Sequence, residues 1–260
     1  MRGGAQSQLM RCSDSNLYVV KFRNNPQHPR VLANELVATR LAEKVGLPVP
    51  KAEVVEVSAW LIEHSPEMTI QVAGRSERCA DGLQFGSRYI LPPFDGQVLD
   101  WLPQSHLERV RNLSDFAGML AFDKWTANAN GRQAVFWKRA RERKYTVSFI
   151  DHGYCFNAGE WTFPDSPLRG VYPWNEVYEG VRDWGSFDPC LTRIEQLEDS
   201  AIWECGNDVP PEWYGGDWDA LERLLNGLIR RKSQVRELIE EFRTSSRDPF
   251  PEWRAEASAD

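Results

Sequence analysis

Three polar residues in two neighbouring stretches have side chains suited to a metal-bound phosphate. Asp123 and Asn128 stand five residues apart in "FDKWTANANG", and Asp151 follows the apolar run "TVSFI". Oxygen ligands of these types suit Mg2+, and a carboxylate can accept the proton of an attacking hydroxyl. The pattern predicts phosphoryl transfer, with Asp123 orienting the hydroxyl and Asn128 and Asp151 holding magnesium.

The start of the chain adds groups that could bind the phosphates of a nucleotide. A glycine turn there comprises Gly3, Gly4, Ala5 and Gln6. Its backbone N–H groups could approach phosphate oxygens closely. Lys21, at the end of "YVVK", could reach the same phosphates as a point charge. Glu35, at the border of the next apolar stripe, could pair with Lys21 and orient it.

Hydrophobic patterns predict the elements that position these groups in the first half of the chain. Leu32, Leu36, Val37, Leu41 and Val45 recur at helical spacing, and Gly46 and Pro48 close this helix. Alternating apolar residues predict four strands, at 8–12, 17–22, 52–63 and 68–72. The glycines and prolines of "GLQFGSRYILPPFDG", residues 82–96, indicate a connector between two lobes.

The second half of the chain has mainly helical patterns. Residues 102–125 are predicted to be mostly helical, and 134–138 with 145–150 to form a hairpin around the basic loop 139–144. A tryptophan-rich irregular region follows, and helices resume near Asp217. Tryptophan is enriched in interaction hot spots, so this region could also bind a protein partner, although packing onto the helices is the more ordinary role.

Composition bounds the class of protein. The 260 residues are 42% hydrophobic with a net charge of −7, which suits one large domain or two lobes and argues against a general nucleic-acid binder. Five scattered cysteines favour reduced thiols in a cytoplasm. Because no apolar run approaches the ~20 residues that span a bilayer, we expect a soluble, cytoplasmic protein without membrane contacts.

The ordered motifs "GGAQSQ", "YVVKF", "ANELVATRLAEKVGLPVP", "QFGSRY", "DKWTANAN" and "FIDHG" resemble those of the HipA-like kinases. The resemblance covers roughly residues 1–157. It implies an α+β fold related to protein kinases and phosphatidylinositol kinases, with a small sheet-bearing N-lobe and a larger, mainly helical C-lobe. We expect the N-lobe at 1–85, the connector at 86–95, the C-lobe at 96–243 and a polar tail at 244–260.

The resemblance also implies site roles. ATP and Mg2+ would bind between the lobes, with Asp123 as catalytic base, Asn128 and Asp151 as metal ligands, and Lys21 contacting phosphate. The adenine would meet the connector, to which we assign Arg88, Tyr89 and Ile90. HipA proteins themselves are bacterial serine/threonine kinases that act as toxins in toxin–antitoxin pairs.

Two departures from the family pattern concern the Asp-His-Gly motif and the start of the chain. Asp-His-Gly stands where many kinases have Asp-Phe-Gly. Only Met1 and Arg2 precede the glycines, where the family has a strand. Either the chain lacks most of that strand, which would leave the phosphate loop poorly anchored, or its true start lies upstream.

The acceptor remains open between three classes. A protein serine or threonine is expected from the resemblance, whereas a small-molecule kinase would use the same side chains on a metabolite alcohol. A non-catalytic module that binds nucleotide without transferring phosphate is the third alternative.

Overall fold

A small antiparallel sheet and one long helix form the N-terminal lobe. The computed structural model describes residues 6–254. The strands of this lobe are β1 (Gln8–Arg11), β2 (Leu17–Lys21), β3 (Ala52–Val57), β4 (Thr69–Val72), β5 (Arg75–Arg78) and β6 (Gly82–Arg88). Four of them pair in the order β1-β2-β6-β3, and β4 and β5 form a separate hairpin. The helix α1 spans Val31–Lys44, as its periodicity predicted, and Gly46 follows it with φ +80°, a left-handed conformation that commonly ends helices.

Alternation along β2 divides its side chains between two environments. Tyr18 and Val20 are buried with Phe22 and Ile70 in an apolar cluster between the sheet and the β4–β5 hairpin. Lys21 ends the strand and forms an ion pair with a side chain of α1. The strand therefore holds Lys21 rigidly, because its neighbours are fixed by packing.

The predicted strand at 52–63 is wrong in its second half. β3 ends at Val57, and a short helix α2 (Ala59–His64) follows. Ser58 begins this helix, since its side chain accepts a hydrogen bond from the N–H of Leu61. A serine cap of this kind satisfies one of the free donors of a first turn, which here outweighs the apolar pattern.

The predicted connector at 82–96 is also wrong in its first half. Gly82–Arg88 form β6, which lies inside the sheet between β2 and β3. A Cβ on Gly86 would lie 2.5 Å from Cγ2 of Val55. Gly86 therefore allows β3 and β6 to pack closely rather than breaking the chain.

The C-terminal lobe combines a three-stranded sheet with five helices. The sheet has the order β7-β8-β9, formed by β7 (Gly96–Leu99), β8 (Gln133–Arg139) and β9 (Thr146–Ile150). The helices are α3 (Asp115–Trp125), α4 (Cys190–Gln196), α5 (Asp199–Gly206), α6 (Trp218–Arg231) and α7 (Val235–Arg243). The hairpin around 139–144 is confirmed. Residues 102–125 are only partly α-helical, because a 3-10 segment, Gln104–Arg109, precedes α3.

Tryptophan side chains form contacts within the C-lobe, and one of them forms a hydrogen bond with the N-lobe. The indole N–H of Trp125 donates to the carbonyl of Leu228 at 2.9 Å, and that of Trp213 to the carbonyl of Leu83 in β6 at 3.0 Å. Trp101 and Trp218 remain largely exposed. Most tryptophans beyond residue 160 lie in the core or are partly buried against it, and a protein partner at the exposed ones stays a prediction.

The segment predicted as a polar tail is partly folded onto this lobe. Phe250 is buried, and its ring contacts Tyr178, Phe187 and Phe242 at centroid distances of 5.7–6.2 Å. One aromatic residue is enough to anchor a short polar segment, because its burial removes a large apolar area from water.

Within residues 6–254, no helix combines the length and apolar character needed to cross a bilayer. All five cysteines are free thiols, and four of them are buried. In the same range, no three His, Cys, Asp or Glu side chains are grouped as a metal site.

Candidate functional site

Lys21 joins the two lobes through two carboxylates. Its ammonium forms ion pairs with Glu35 of α1 and, at 2.7 Å, with Oδ1 of Asp151 directly after β9. All three side chains are at least 85% buried. The predicted Lys21–Glu35 pair is therefore present, and Asp151 lies against the same ammonium.

The electrostatics of this triad favour the charged forms of Lys21 and Asp151 but not that of Glu35. Burial by itself lowers the pKa of Lys21, but the charges of Glu35 and Asp151 outweigh burial and raise it above its usual value. Burial by itself raises the pKa of Asp151, but the charge of Lys21, the hydrogen bonds to the carboxylate and the charge of Arg132 together lower it. Burial raises the pKa of Glu35, which the Lys21 charge only partly offsets. A cation shared by two carboxylates can release one of them to another cation without becoming unpaired.

Two side chains of helix α1 form hydrogen bonds with the main chain of the Asp-His-Gly turn. Glu35 accepts hydrogen bonds from the N–H groups of His152 and Gly153, both at 3.0 Å. Its neighbour Asn34, fully buried, donates to the carbonyls of Gly153, Cys155 and Ala158 at 2.7–2.9 Å. The position of Asp151 is thus tied to α1.

Asp123 lies on α3 and is 1% exposed. Arg132 binds its carboxylate with two hydrogen bonds, Nε to Oδ2 at 2.9 Å and Nη2 to Oδ1 at 2.5 Å. Burial by itself lowers the pKa of Arg132, but the charge and hydrogen bonds of Asp123, with smaller contributions from other groups, together raise it. Because the Asp123 side chain is fully buried, an acceptor hydroxyl reaches it only if groups that cover the carboxylate move.

Asn128 belongs to the same buried cluster. Its amide donates to Oδ1 of Asp123 at 2.9 Å, and its carbonyl oxygen accepts from the N–H of Asn130 at 3.1 Å. The five-residue spacing therefore does bring Asp123 and Asn128 together. Their hydrogen bonds go to each other and to the loop, whereas those of Asp151 go to Lys21 and Gln133.

Arg132 connects the Asp123 cluster to the Asp-His-Gly turn. Its Nη1 donates to the carbonyl of Ile150 at 2.9 Å and contacts Nδ1 of His152 at 3.3 Å. Burial and the Arg132 charge hold the pKa of His152 well below its usual range. The neutral imidazole is 2% exposed and meets the Phe122 ring edge-on, so it occupies an apolar position as an aromatic side chain would.

Gln133 supplies the second contact to Asp151. Its Nε2 lies 2.7 Å from Oδ2 of Asp151. β8 begins at Gln133, which pairs in register with Ile150 at the end of β9. The amide and the carboxylate are therefore mounted side by side on neighbouring strands.

Gly170 covers the Asp123 cluster from outside. It has φ +68°, and a Cβ there would lie 2.6 Å from Cβ of Asp123. Lys124 holds this covering segment, because its ammonium donates to the carbonyls of Pro167 and Arg169, both at 2.7 Å. Burial lowers the pKa of Lys124 to about 8.

The predicted adenine-contacting residues lie at the other end of β2 from Lys21. Arg88, Tyr89 and Ile90 line an open groove of about 390 Å3 together with Leu17, where β2 begins. The N–H of Tyr89 donates to the carbonyl of Leu17 at 2.8 Å. Neither Lys21 nor Asp151 lines this groove, and its contact with adenine stays a prediction.

Gln6 is the one residue of the predicted phosphate loop that falls within the described range, and Gly3, Gly4 and Ala5 lie outside it. The side-chain amide of Gln6 bonds to the main chain of Gln71, donating to its carbonyl at 2.8 Å and accepting from its N–H at 2.6 Å. This pair fixes the end of the loop to strand β4.

The oxygen donors around Asp151 fit a hard divalent cation. One carboxylate and one neutral amide stand at the cleft beside Lys21, and Mg2+ commonly takes one or two protein oxygens and fills its other positions with phosphates and water. Asn128 fits less well, because it is buried and both ends of its amide already have hydrogen-bond partners.

Sequence reasoning missed Arg132 and Gln133. The predicted hairpin already contained the signal for Gln133: a hairpin symmetric about 139–144 places residue 133 opposite residue 150, beside Asp151. Arg132 carried no comparable signal, since it lies in the loop directly before β8 and a charged loop residue is usually solvated.

Solved structures with the same fold include several kinases. CtkA, a proinflammatory kinase of Helicobacter pylori, is 14% identical over 91% of this chain and 94% of its own, with a TM-score of 0.53. HipA from Shewanella oneidensis, solved with HipB and operator DNA, is 13% identical over 95% of this chain and 67% of its own, also with a TM-score of 0.53. The Golgi casein kinase with Mn/ADP bound is 14% identical over 93% and 72%, with a TM-score of 0.50. At these identities the likeness shows the two-lobed kinase fold.

Among curated proteins, none matches the chain. The family model described as HipA-like kinase matches residues 1–238. This range includes all three residues of the Lys21–Glu35–Asp151 triad and the whole Asp123 cluster. The chain therefore belongs to the HipA-like kinase family.

Proposed function

We propose that this protein is a phosphotransferase that moves the γ-phosphoryl group of ATP to an alcohol, with a serine or threonine of a protein as the acceptor. The observation that carries the proposal is the buried contact of Lys21 with both Glu35 and Asp151. Phosphoryl transfer depends on fixed cations near the phosphates, and this triad mounts a cation and a metal-ligating carboxylate on rigid elements of both lobes.

In this mechanism Lys21 binds the nucleotide phosphates while Glu35 keeps its ammonium directed at the cleft. Asp151 holds Mg2+, which when bound would neutralise charge on the phosphates. Asp123 accepts the proton of the acceptor hydroxyl. That step requires the groups that cover the buried Asp123 carboxylate to move aside.

One observation favours a second candidate, the non-catalytic nucleotide-binding module. Asp123 is 1% exposed and accepts three hydrogen bonds, whereas the exposed polar side chains nearby are the amides of Asn130 in the loop and Gln133 at the start of β8. An amide cannot act as a general base. In this alternative the protein binds ATP and leaves the phosphate in place.

Calorimetric titration of Mg·ATP tests nucleotide binding. We expect binding to wild type, at least about tenfold weaker binding to Asp151→Asn, and unchanged binding to Asp100→Asn, a control at an exposed carboxylate. A folded wild type that does not bind Mg·ATP would contradict both candidates.

Transfer of labelled γ-phosphate then separates the two candidates. The kinase proposal expects wild-type transfer that falls about 100-fold or more in Asp123→Asn, with binding retained. The binding-module alternative expects no transfer by wild type, and transfer first seen in Asn130→Asp, which places an exposed carboxylate in the loop. A panel of serine- and threonine-bearing proteins and of hydroxylated metabolites distinguishes a protein kinase from a small-molecule kinase.

Free cysteines agree with a reducing compartment, so we retain a cytoplasmic location as part of the proposal. HipA of Shewanella oneidensis was solved with a protein partner and DNA. For this chain we propose no nucleic-acid contact, given its net charge of −7.

A further inference from the structure

Asp151 has one carboxylate oxygen that can exchange its partner. Oδ1 is held by Lys21 at 2.7 Å, and Oδ2 accepts from the neutral amide of Gln133 at 2.7 Å. A hydrogen bond to a charged ammonium is stronger than one to a neutral amide. An incoming cation would therefore displace the Gln133 contact and leave the Lys21 contact in place.

The amide of Gln133 can follow that exchange without moving its backbone. Rotation of the terminal amide by half a turn brings Oε1 to the present position of Nε2. Oε1 of Gln133 and Oδ2 of Asp151 would then both face a cation bound between them. The β8–β9 register fixes the Cα of Gln133 opposite Ile150, directly before Asp151. The two donors are thus preorganised on adjacent strands, as a precise metal site requires.

The backbone conformation of Asp151 supports a functional role for its position beside Gln133. Asp151 has φ +62°, the left-handed region that a non-glycine residue adopts at some energetic cost. In this conformation the side chain contacts both Lys21 and Gln133. Strain of this kind persists when the surrounding contacts fix it, as Glu35 does by binding the N–H groups of His152 and Gly153.

Asn128 offers a weaker alternative for the same role. It is 1% exposed, bonds to Asp123 and to the N–H of Asn130, and has Gly170 packed against its Cβ position. Gln133 is exposed. Of the two amides, only Gln133 is already in contact with Asp151.

We propose that Gln133 Oε1 and Asp151 Oδ2 together hold the divalent cation that accompanies the nucleotide, and that Asn128 is a positioning residue for Asp123. The inference rests on the proposed function, since it names the metal ligands of that same cleft. A single negative charge on the two ligands leaves the cation free to attract phosphate oxygens.

The test measures binding of ADP in the presence and absence of Mn2+ by calorimetry, using the full chain. Mn2+ accepts the same oxygen ligands as Mg2+, and its binding can also be followed by electron paramagnetic resonance. We compare wild type with Gln133→Met, which keeps the length of the side chain and removes its amide, and with Gln133→Glu, which keeps an oxygen. Gln234→Met, at an exposed site on the C-lobe, is the matched control.

We expect Gln133→Met to weaken Mn·ADP binding by about tenfold or more and to leave metal-free ADP binding unchanged. Gln133→Glu and Gln234→Met should bind Mn·ADP at least as well as wild type. Equal Mn·ADP affinity in wild type and Gln133→Met would overturn the inference while leaving the proposed function in place. The same conclusion would follow if Asn128→Leu, still folded, lost the metal-dependent part of binding and Gln133→Met did not. A folded wild type that bound no Mn·ADP would overturn both.

Discussion

The guanidinium of Arg132 and the carboxylate of Asp123 form a two-bonded ion pair with both side chains almost completely buried. Removal of one partner leaves an uncompensated buried charge, which costs about 3–5 kcal/mol. We therefore expect Arg132→Met to destabilise the protein by that amount, and Asp123→Asn with Arg132→Met to cost at least about 2 kcal/mol less than the sum of the single changes. Urea unfolding of the four proteins measures this coupling.

The control for this cycle is the exposed pair of Arg182 and Glu252, whose side chains are about half exposed. Arg182→Met with Glu252→Gln should show a coupling below about 1 kcal/mol. Equal couplings for the two pairs would mean that the Asp123 site is open to water in solution.

Glu35 should matter for both stability and nucleotide binding. Glu35→Gln removes the charge that raises the pKa of Lys21 and weakens the grip on the N–H groups of His152 and Gly153. We expect a loss of about 2–4 kcal/mol in the free energy of unfolding and weaker Mg·ATP binding. Glu43→Gln, at an exposed position of the same helix, should stay within about 0.5 kcal/mol of wild type. Similar effects of the two changes would argue against a special role for the triad.

Gly170 and Gly215 allow backbone strain and steric crowding to be separated. Both have φ +68°, but a Cβ on Gly170 would collide with Asp123, whereas no atom lies within 4 Å of one on Gly215. Gly215→Ala should cost about 1–2 kcal/mol from the left-handed backbone, and Gly170→Ala about 1–3 kcal/mol more from overpacking. Thermal or urea denaturation measures the loss in the free energy of unfolding for each variant. Equal losses would show that the segment over Asp123 shifts to accommodate the added methyl group.

Lys124 should make stability rise with pH in the alkaline range. Its folded pKa is about 8 against an ordinary value of 10.5. Below pH 8 both states are protonated and the cost of burying the charge is fully present. Between these two pKa values only the unfolded chain keeps the proton, so the free energy of unfolding increases with pH. Relative to Lys124→Met, wild type should gain about 2 kcal/mol between pH 7.5 and 9.5, and parallel pH profiles of the two proteins would contradict the burial of this charge.

Gln6 is expected to act on nucleotide affinity more than on stability. Gln6→Ala removes both hydrogen bonds to the main chain of Gln71. We expect severalfold weaker Mg·ATP binding, with a change in the free energy of unfolding of about 1 kcal/mol. Gln71→Ala keeps the main-chain partner and should resemble wild type. If Gln71→Ala weakened binding as much as Gln6→Ala, side-chain packing of the β4–β5 hairpin would be responsible.

Local patterns determined much of the fold. The helical spacing from Leu32 to Val45, the hairpin around 139–144 and the final helices were all evident, because apolar periodicity reports which face of an element is buried. The wrong predictions lie where the contact of a single residue with a neighbouring group determines the local structure. Ser58 begins a helix inside an apolar run, and Gly86 allows β3 and β6 to pack closely.

The sequence by itself determined which side chains were available for chemistry, and the pairing of Lys21 with Glu35 followed from their order along the chain. Only the tertiary structure decided how the other polar residues divide between two clusters. Asp123 and Asn128 share a buried cluster with Arg132, and Asp151 shares the cleft with Lys21 and Gln133. Residue type and spacing cannot distinguish these arrangements, because burial of a carboxylate depends on which distant cation the fold brings to it.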